Sequence, residues 1–168
     1  MQHIITKLSF LFLLSFLSCS SYALQSDYDK PINILAKEQV ADLNNNILTF
    51  KGNVEVTQGT MKLNADVIEI KRDNNNNLKS IIATGSPVTF EQELEDRGLI
   101  KSKSQKLTYN PKTGQISLTG RASISQGNSH MSGEKIDYNI QTKQMRAHTN
   151  NEQGGRVSST FIPAEFNK

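Results

Sequence analysis

The stretch FKGNVEVTQG, Phe50 to Gly59, decides the fold because the chain repeats its pattern as LTGRASISQG, Leu118 to Gly127. The offset is constant, since 118 − 50 and 127 − 59 both equal 68. Each copy opens on apolar residues, passes a glycine, alternates, and ends on Gln-Gly. Leu48, Phe50, Val54 and Val56 share one parity and oppose Thr49, Lys51, Asn53 and Glu55. In the second copy Ile116, Leu118, Ala122 and Ile124 oppose Ser117, Thr119, Arg121 and Ser123. A period of two predicts strands with one dry and one wet face. The match continues beyond Gln-Gly: Leu63 meets Met131, Ile68 meets Ile136 and Ile70 meets Tyr138. In both copies the apolar parity changes along that second run. A parity change inside a strand requires a bulge or a corner that turns the chain toward a second sheet.

Shorter alternation marks PVTF, with Val88 and Phe90, and KLTYN, with Leu107 and Tyr109. Turn signals separate the runs: DLNNN at 42–46, DNNNN at 73–77, NPKTG at 110–114 and QTKQ at 141–144. The asparagine tracts are short and flanked by strand-like sequence, so they predict corners rather than linkers. LAKEQVADL carries apolar residues at helical spacing as well, and the neighbouring alternation of PINI tips it toward strand. Glycines at 52, 85, 120 and 155 stand 33, 35 and 35 residues apart. About four repeated strand-turn units follow, forming an all-β, rolled antiparallel structure. Such a sheet has two edges, and PINI and RVSSTFIP fall at them, where unpaired backbone could join another copy head to tail.

The start of the chain belongs to none of this. Lys7, the apolar run LSFLFLLSFLS and the small residues of SYA describe an export signal in residues 1–23, leaving one domain over 24–168. The run has about half of the roughly 20 apolar residues needed to span a bilayer. Cys19, the single cysteine, lies inside it, and Phe16 stands where lipid-attachment signals prefer leucine. The remaining chain has no thiol for a disulfide or a nucleophile. A net charge of +3, 7% aromatic content and no tryptophan argue against nucleic acid.

Chemistry-bearing motifs are scarce. His130 and His148 lack metal-ligand spacing, and the carboxylates Glu91, Glu93, Glu95 and Asp96 of EQELEDRG predict a solvated loop without a calcium signature. No nucleophile elbow, phosphate loop or dinucleotide fingerprint occurs. The expectation is a protein that is not an enzyme and carries no cofactor or metal; a polysaccharide-active enzyme using spatially paired carboxylates is the weakest alternative.

Four passages, KPINILAKEQVADL, LTFKGNVEVTQGTMKLNADVIEI, ATGSPVTFEQ and LTGRASISQGNSHMSGEKIDYNI, together resemble the OstA-like domain family of periplasmic lipopolysaccharide-transport proteins. The resemblance covers about Pro31 to Pro163. It implies a β-jellyroll opened into a V, whose apolar interior shields the acyl chains of lipid A. By position it places Ile32 and Ile34 at the entrance and Phe90 on the lipid path, with Leu107 and Tyr109 on a later strand. Phe50, Val54, Val56, Val88, Leu118 and Ile124 would line the groove, and Arg72 and Lys79 would meet phosphate. It also implies end-to-end pairing, self-association included, with an LptC-like inner-membrane partner and an LptD-like outer-membrane partner. On the residues alone, an ordinary packed core and a lipid groove both stand, as does an interaction module that pairs edge strands and binds no lipid; the resemblance favours the groove.

Overall fold

The repeated glycines set the architecture. In the computed structural model, which describes Asp27 and residues 30–94, 98–149 and 155–162, Gly52 and Gly120 both have φ +81°. The residues after them, Asn53 and Arg121, have φ +50° and +48°. Each pair is a bulge: Lys51 and Val54 face Val67 and Ala65, and Thr119 and Ala122 face Lys135 and Gly133. Three steps on one strand therefore match two on its neighbour, the count of one extra residue. A side chain at Gly52 would run into Lys37, and one at Gly120 into Gln105, so the left-handed turn and the close cover both demand glycine. Gly59 and Gly127, at φ +57° and +55°, close the two matching hairpins.

Ten strands occur in the described residues: β1 (Asn33–Leu35), β2 (Glu38–Asp42), β3 (Ile47–Gln58), β4 (Met61–Arg72), β5 (Leu78–Leu94), β6 (Gly98–Asn110), β7 (Gln115–Gln126), β8 (Ser129–Asn139), β9 (Gln144–His148) and β10 (Ser158–Thr160). All pairings are antiparallel, in the order β1-β3-β4-β5-β6-β7-β8-β10, with β2 also on β3 and β9 also on β8. The sheet does not close, as β1 and β2 end one side and β9 and β10 the other.

Register shifts recur in line across the sheet, at Lys51/Val54, Asn64/Val67, Thr84/Val88, Lys103/Lys106 and Thr119/Ala122. They form a crease that divides every long strand. One leaf carries β1, residues 54–65, 88–94, 98–104 and 122–133, and β10; the other carries β2, residues 47–51, 67–84, 106–119 and 135–139, and β9. The parity change along LNADVIEI is this crease crossing β4: Leu63 and Ala65 are buried before it and Ile68 after it.

The asparagine tracts are corners. Asp42 accepts from the amides of Asn44 and Asn45, and Asp73 from those of Asn75 and Asn77. Asn46 and Asn76 take φ +55° and +66°, a conformation asparagine tolerates better than most side chains. LAKEQVADL is strand, split between β1 and β2. One expectation is corrected: Glu91 and Glu93 are not in a loop, because β5 continues to Leu94 and Glu91 pairs with Lys101 of β6. Alternation there is hidden by polar residues on both parities. The predicted export signal, Glu95, Asp96 and Pro163 lie outside the described residues.

Candidate functional site

Burial of the inward face is graded from the crease outward. Val54, Ile68, Ala83, Val88, Ala122 and Ile136 flank the crease and are at most 1% exposed. They come from both leaves and form one cluster with Phe50, Val56, Leu63, Ala65, Leu107 and Leu118. Two positions farther out, Leu48, Ile70, Ile81, Phe90, Tyr109, Ile116, Ile124 and Met131 are only half-buried, although Val56 and Leu63 stay covered. Leaves that diverge from a common crease produce this gradient. The result is an apolar trough with a filled floor and an open rim.

The sequence-derived candidates divide accordingly. Phe50, Val54, Val56, Val88, Leu107 and Leu118 lie in the buried floor, and Ile34, Phe90, Tyr109 and Ile124 pack against it from the rim. Ile34 pairs with Val56, which seats it at the β1 end of the trough. Ile32 is not part of the cluster; it precedes β1 and is 60% exposed. Arg72 and Lys79 stand together at the β4–β5 hairpin, beyond the rim pair Ile70 and Ile81. Arg72 donates its backbone N–H to Asn46 O at 2.9 Å, while its Nε is buried without a partner. Sequence reading did not nominate the rim residues Met61, Ile70, Ile81, Ile116 and Met131. Pairing the strands on either side of the asparagine tract would have matched Ile70 with Ile81 and found two of them.

Among the described residues, no group of three or more His, Cys, Asp or Glu is arranged to hold a metal. His148 Nε2 lies 3.6 Å from Asp137 Oδ2, which also meets Lys135 Nζ at 2.8 Å, and the Ser117 hydroxyl donates to Asp137 Oδ1 at 2.5 Å. Burial pushes the Asp137 carboxyl up, but Lys135, the Ser117 hydroxyl and His148 outweigh it and hold it below its ordinary 3.8. A carboxylate depressed by folding contributes stability that is complete above the unfolded value and disappears as pH falls through the folded one. Acidification below about pH 4 is therefore expected to lower the melting temperature of the wild type more steeply than that of Asp137→Asn. Thermal melts across the acid range check this; parallel acid limbs would contradict it.

The edges complete the site. On one side β1 and β2 present the exposed apolar residues Leu35 and Val40 with Glu38 and Asp42, and exposed Ile32 stands just before β1. On the other, β9 and β10 carry exposed Met145 and Arg146, with Lys143 before β9 and Val157 and Phe161 beside β10.

A family model described as the LptA/(LptD N-terminal domain) LPS transport protein matches residues 33–144. The lipopolysaccharide export system protein LptA of Haemophilus influenzae is 30% identical over 168 residues, covering 99% of this chain and 96% of that protein. LptA of Escherichia coli K12 is 33% identical over 150 residues, covering 89% and 80%. The crystal structure of LptH from Pseudomonas aeruginosa, described as a periplasmic component of the lipopolysaccharide transport device, superposes with a TM-score of 0.70 at 25% identity, covering 83% of this chain and all of that one. With a graded apolar trough on a creased, unclosed sheet and these matches along its length, the chain belongs to the family of LptA and LptD amino-terminal-domain lipopolysaccharide transport proteins.

Proposed function

We propose that the protein is a periplasmic carrier in lipopolysaccharide export that shields lipid A acyl chains in its trough and performs no catalysis. The carrying observation is the graded burial: apolar side chains face inward along the whole sheet, fully covered at the crease and only partly covered at the rim. Covering such a surface with acyl chains is favourable by about 0.8 kcal/mol per buried methylene, so affinity needs no reactive group. Ile34, Phe90, Tyr109 and Ile124 would touch the chains first. Phe50, Val54, Val56, Val88, Leu107 and Leu118 would form the floor, Ile32 would meet lipid at the open end, and Arg72 and Lys79 would meet phosphate.

The carrier works within a chain of like domains, from an LptC-like inner-membrane partner to an LptD-like outer-membrane partner, with copies joined head to tail. Two features support this. Both sheet ends present strands that pair on one side only. The β2 edge carries Glu38 and Asp42 with Lys37 adjoining, and the β9 edge carries Arg146 with Lys143 adjoining. Stacking the β9/β10 edge of one copy on the β1/β2 edge of the next continues each leaf, brings opposite charges together and aligns the troughs. Photo-crosslinkers at Ile34 and Phe90 are expected to capture lipopolysaccharide in living cells, while surface positions such as Lys112 do not. Equal labelling at all positions would sink the carrier reading and leave an interaction module that binds no lipid.

A further inference from the structure

The crease also has an outer side. There Ser86 and Pro87 of β5, Lys103, Ser104 and Gln105 of β6, and Gly120, Arg121 and Ser123 of β7 line a depression of about 310 Å³. That volume is at the lower end of small-molecule sites, roughly 300 Å³ and upward. Its outward polar side chains are two permanent cations, the hydroxyls of Ser86 and Ser123 and an amide, and no carboxylate lines it.

Two observations set it apart from ordinary surface. Among the described residues neither Lys103 nor Arg121 joins an ion pair. The carboxylates alongside are Asp66, occupied by the Ser86 amide at 3.1 Å, and Glu134, opposite the bulge on β8. Arg121, finally, is held at φ +48°, where the equivalent bulge of the first repeat uses Asn53 at +50°. Asparagine adopts this conformation readily and arginine does not, so the second repeat places a guanidinium here against local preference. The glycine before it, Gly120, is covered by the Gln105 side chain, as Gly52 of the first repeat is by that of Lys37.

We infer that this depression is a phosphate site that takes a phosphorylated saccharide. Guanidinium and ammonium groups together match a phosphate dianion, the guanidinium by two parallel hydrogen bonds. The hydroxyls of Ser86 and Ser123 supply further donors, and Pro87 offers an apolar surface to the C–H face of a sugar. The site is independent of the trough, and its occupancy does not depend on acyl-chain binding.

The test is a titration of the full exported chain with inorganic phosphate, glucose 6-phosphate and glucose, followed by amide resonances. Saturable shifts at Lys103, Gln105, Arg121 and Ser123 are expected for both phosphates and not for glucose. Arg121→Asn preserves the bulge, because Asn53 already occupies its counterpart, and is expected to weaken binding at least tenfold; Lys103→Gln should weaken it as well. Lys112→Gln, in the exposed β6–β7 turn, should change nothing. Linear shifts, shifts centred on Arg72 and Lys79, or undiminished affinity in both crease variants would overturn the inference. Deacylated lipopolysaccharide saccharide, with and without phosphatase treatment, then distinguishes sources. Phosphate-dependent binding tighter than that of glucose 6-phosphate assigns the phosphate to the cargo, and weaker or equal binding assigns the site to free sugar phosphates; both support the shared chemistry. Because none of these probes has acyl chains, failure here is distinct from failure of the carrier reading.

Discussion

Ile68→Ala is expected to lower the free energy of unfolding by about 2–5 kcal/mol, and Ile136→Ala by a similar amount, because each removes a large aliphatic group from the fully covered floor. Both side chains are 1% exposed and sit where the leaves meet, so the surrounding crease has little freedom to collapse into the space. Ile70→Ala, two positions outward on β4 and half-buried, is expected to cost about 1 kcal/mol, since part of its surface already meets water. The contrast between neighbours on one strand is the informative result. Urea unfolding followed by circular dichroism measures it, and equal losses at 68 and 70 would mean a uniformly filled interior rather than a trough.

The second large effect reverses that ranking for ligand. Phe90→Asp, alone or with Ile124→Asp, is expected to weaken uptake of an apolar fluorescent probe by about 50-fold while leaving the melting temperature within a few degrees. Phe90 and Ile124 both pair with Ser102, from opposite sides, so they bracket one stretch of the rim. Keeping about three methylenes out of the trough forfeits roughly 2.4 kcal/mol at 0.8 kcal/mol each, which is the stated factor. A carboxylate at a half-buried rim position can still reach water, so the folded protein tolerates it better than the loaded one. Competition of the probe with lipopolysaccharide links the result to cargo. Wild-type uptake in Phe90→Asp would remove the rim from the binding site.

The two predictions rest on different kinds of information. Which residues face inward follows from alternation, and Phe50, Val54, Val56, Leu118, Ala122 and Ile124 were identifiable from their parity alone. The bulges were equally legible, because a repeated glycine followed by a change of parity has few other solutions. Legibility failed where the period was masked. Glu91 and Glu93 continue β5 beneath a run of polar residues, and Ile81 and Met61 stand too close to turns for a pattern to develop. Ile32 shares parity with Ile34, but parity assigns a face only while the chain remains in the sheet, and β1 begins at Asn33.

The sequence by itself therefore determined the strands, their corners, their dry faces and the duplicated hairpin, since each depends on residues that are neighbours along the chain. Only the tertiary structure decided how far each dry residue is covered. The distance between two leaves depends on five register shifts coming into line, and no local pattern records that alignment. The same alignment gathers Ser86, Lys103 and Arg121 from separate strands onto the outer crease, where local sequence marks them only as scattered polar residues. Periodicity reports which way a side chain points, whereas its exposure is set by what stands opposite.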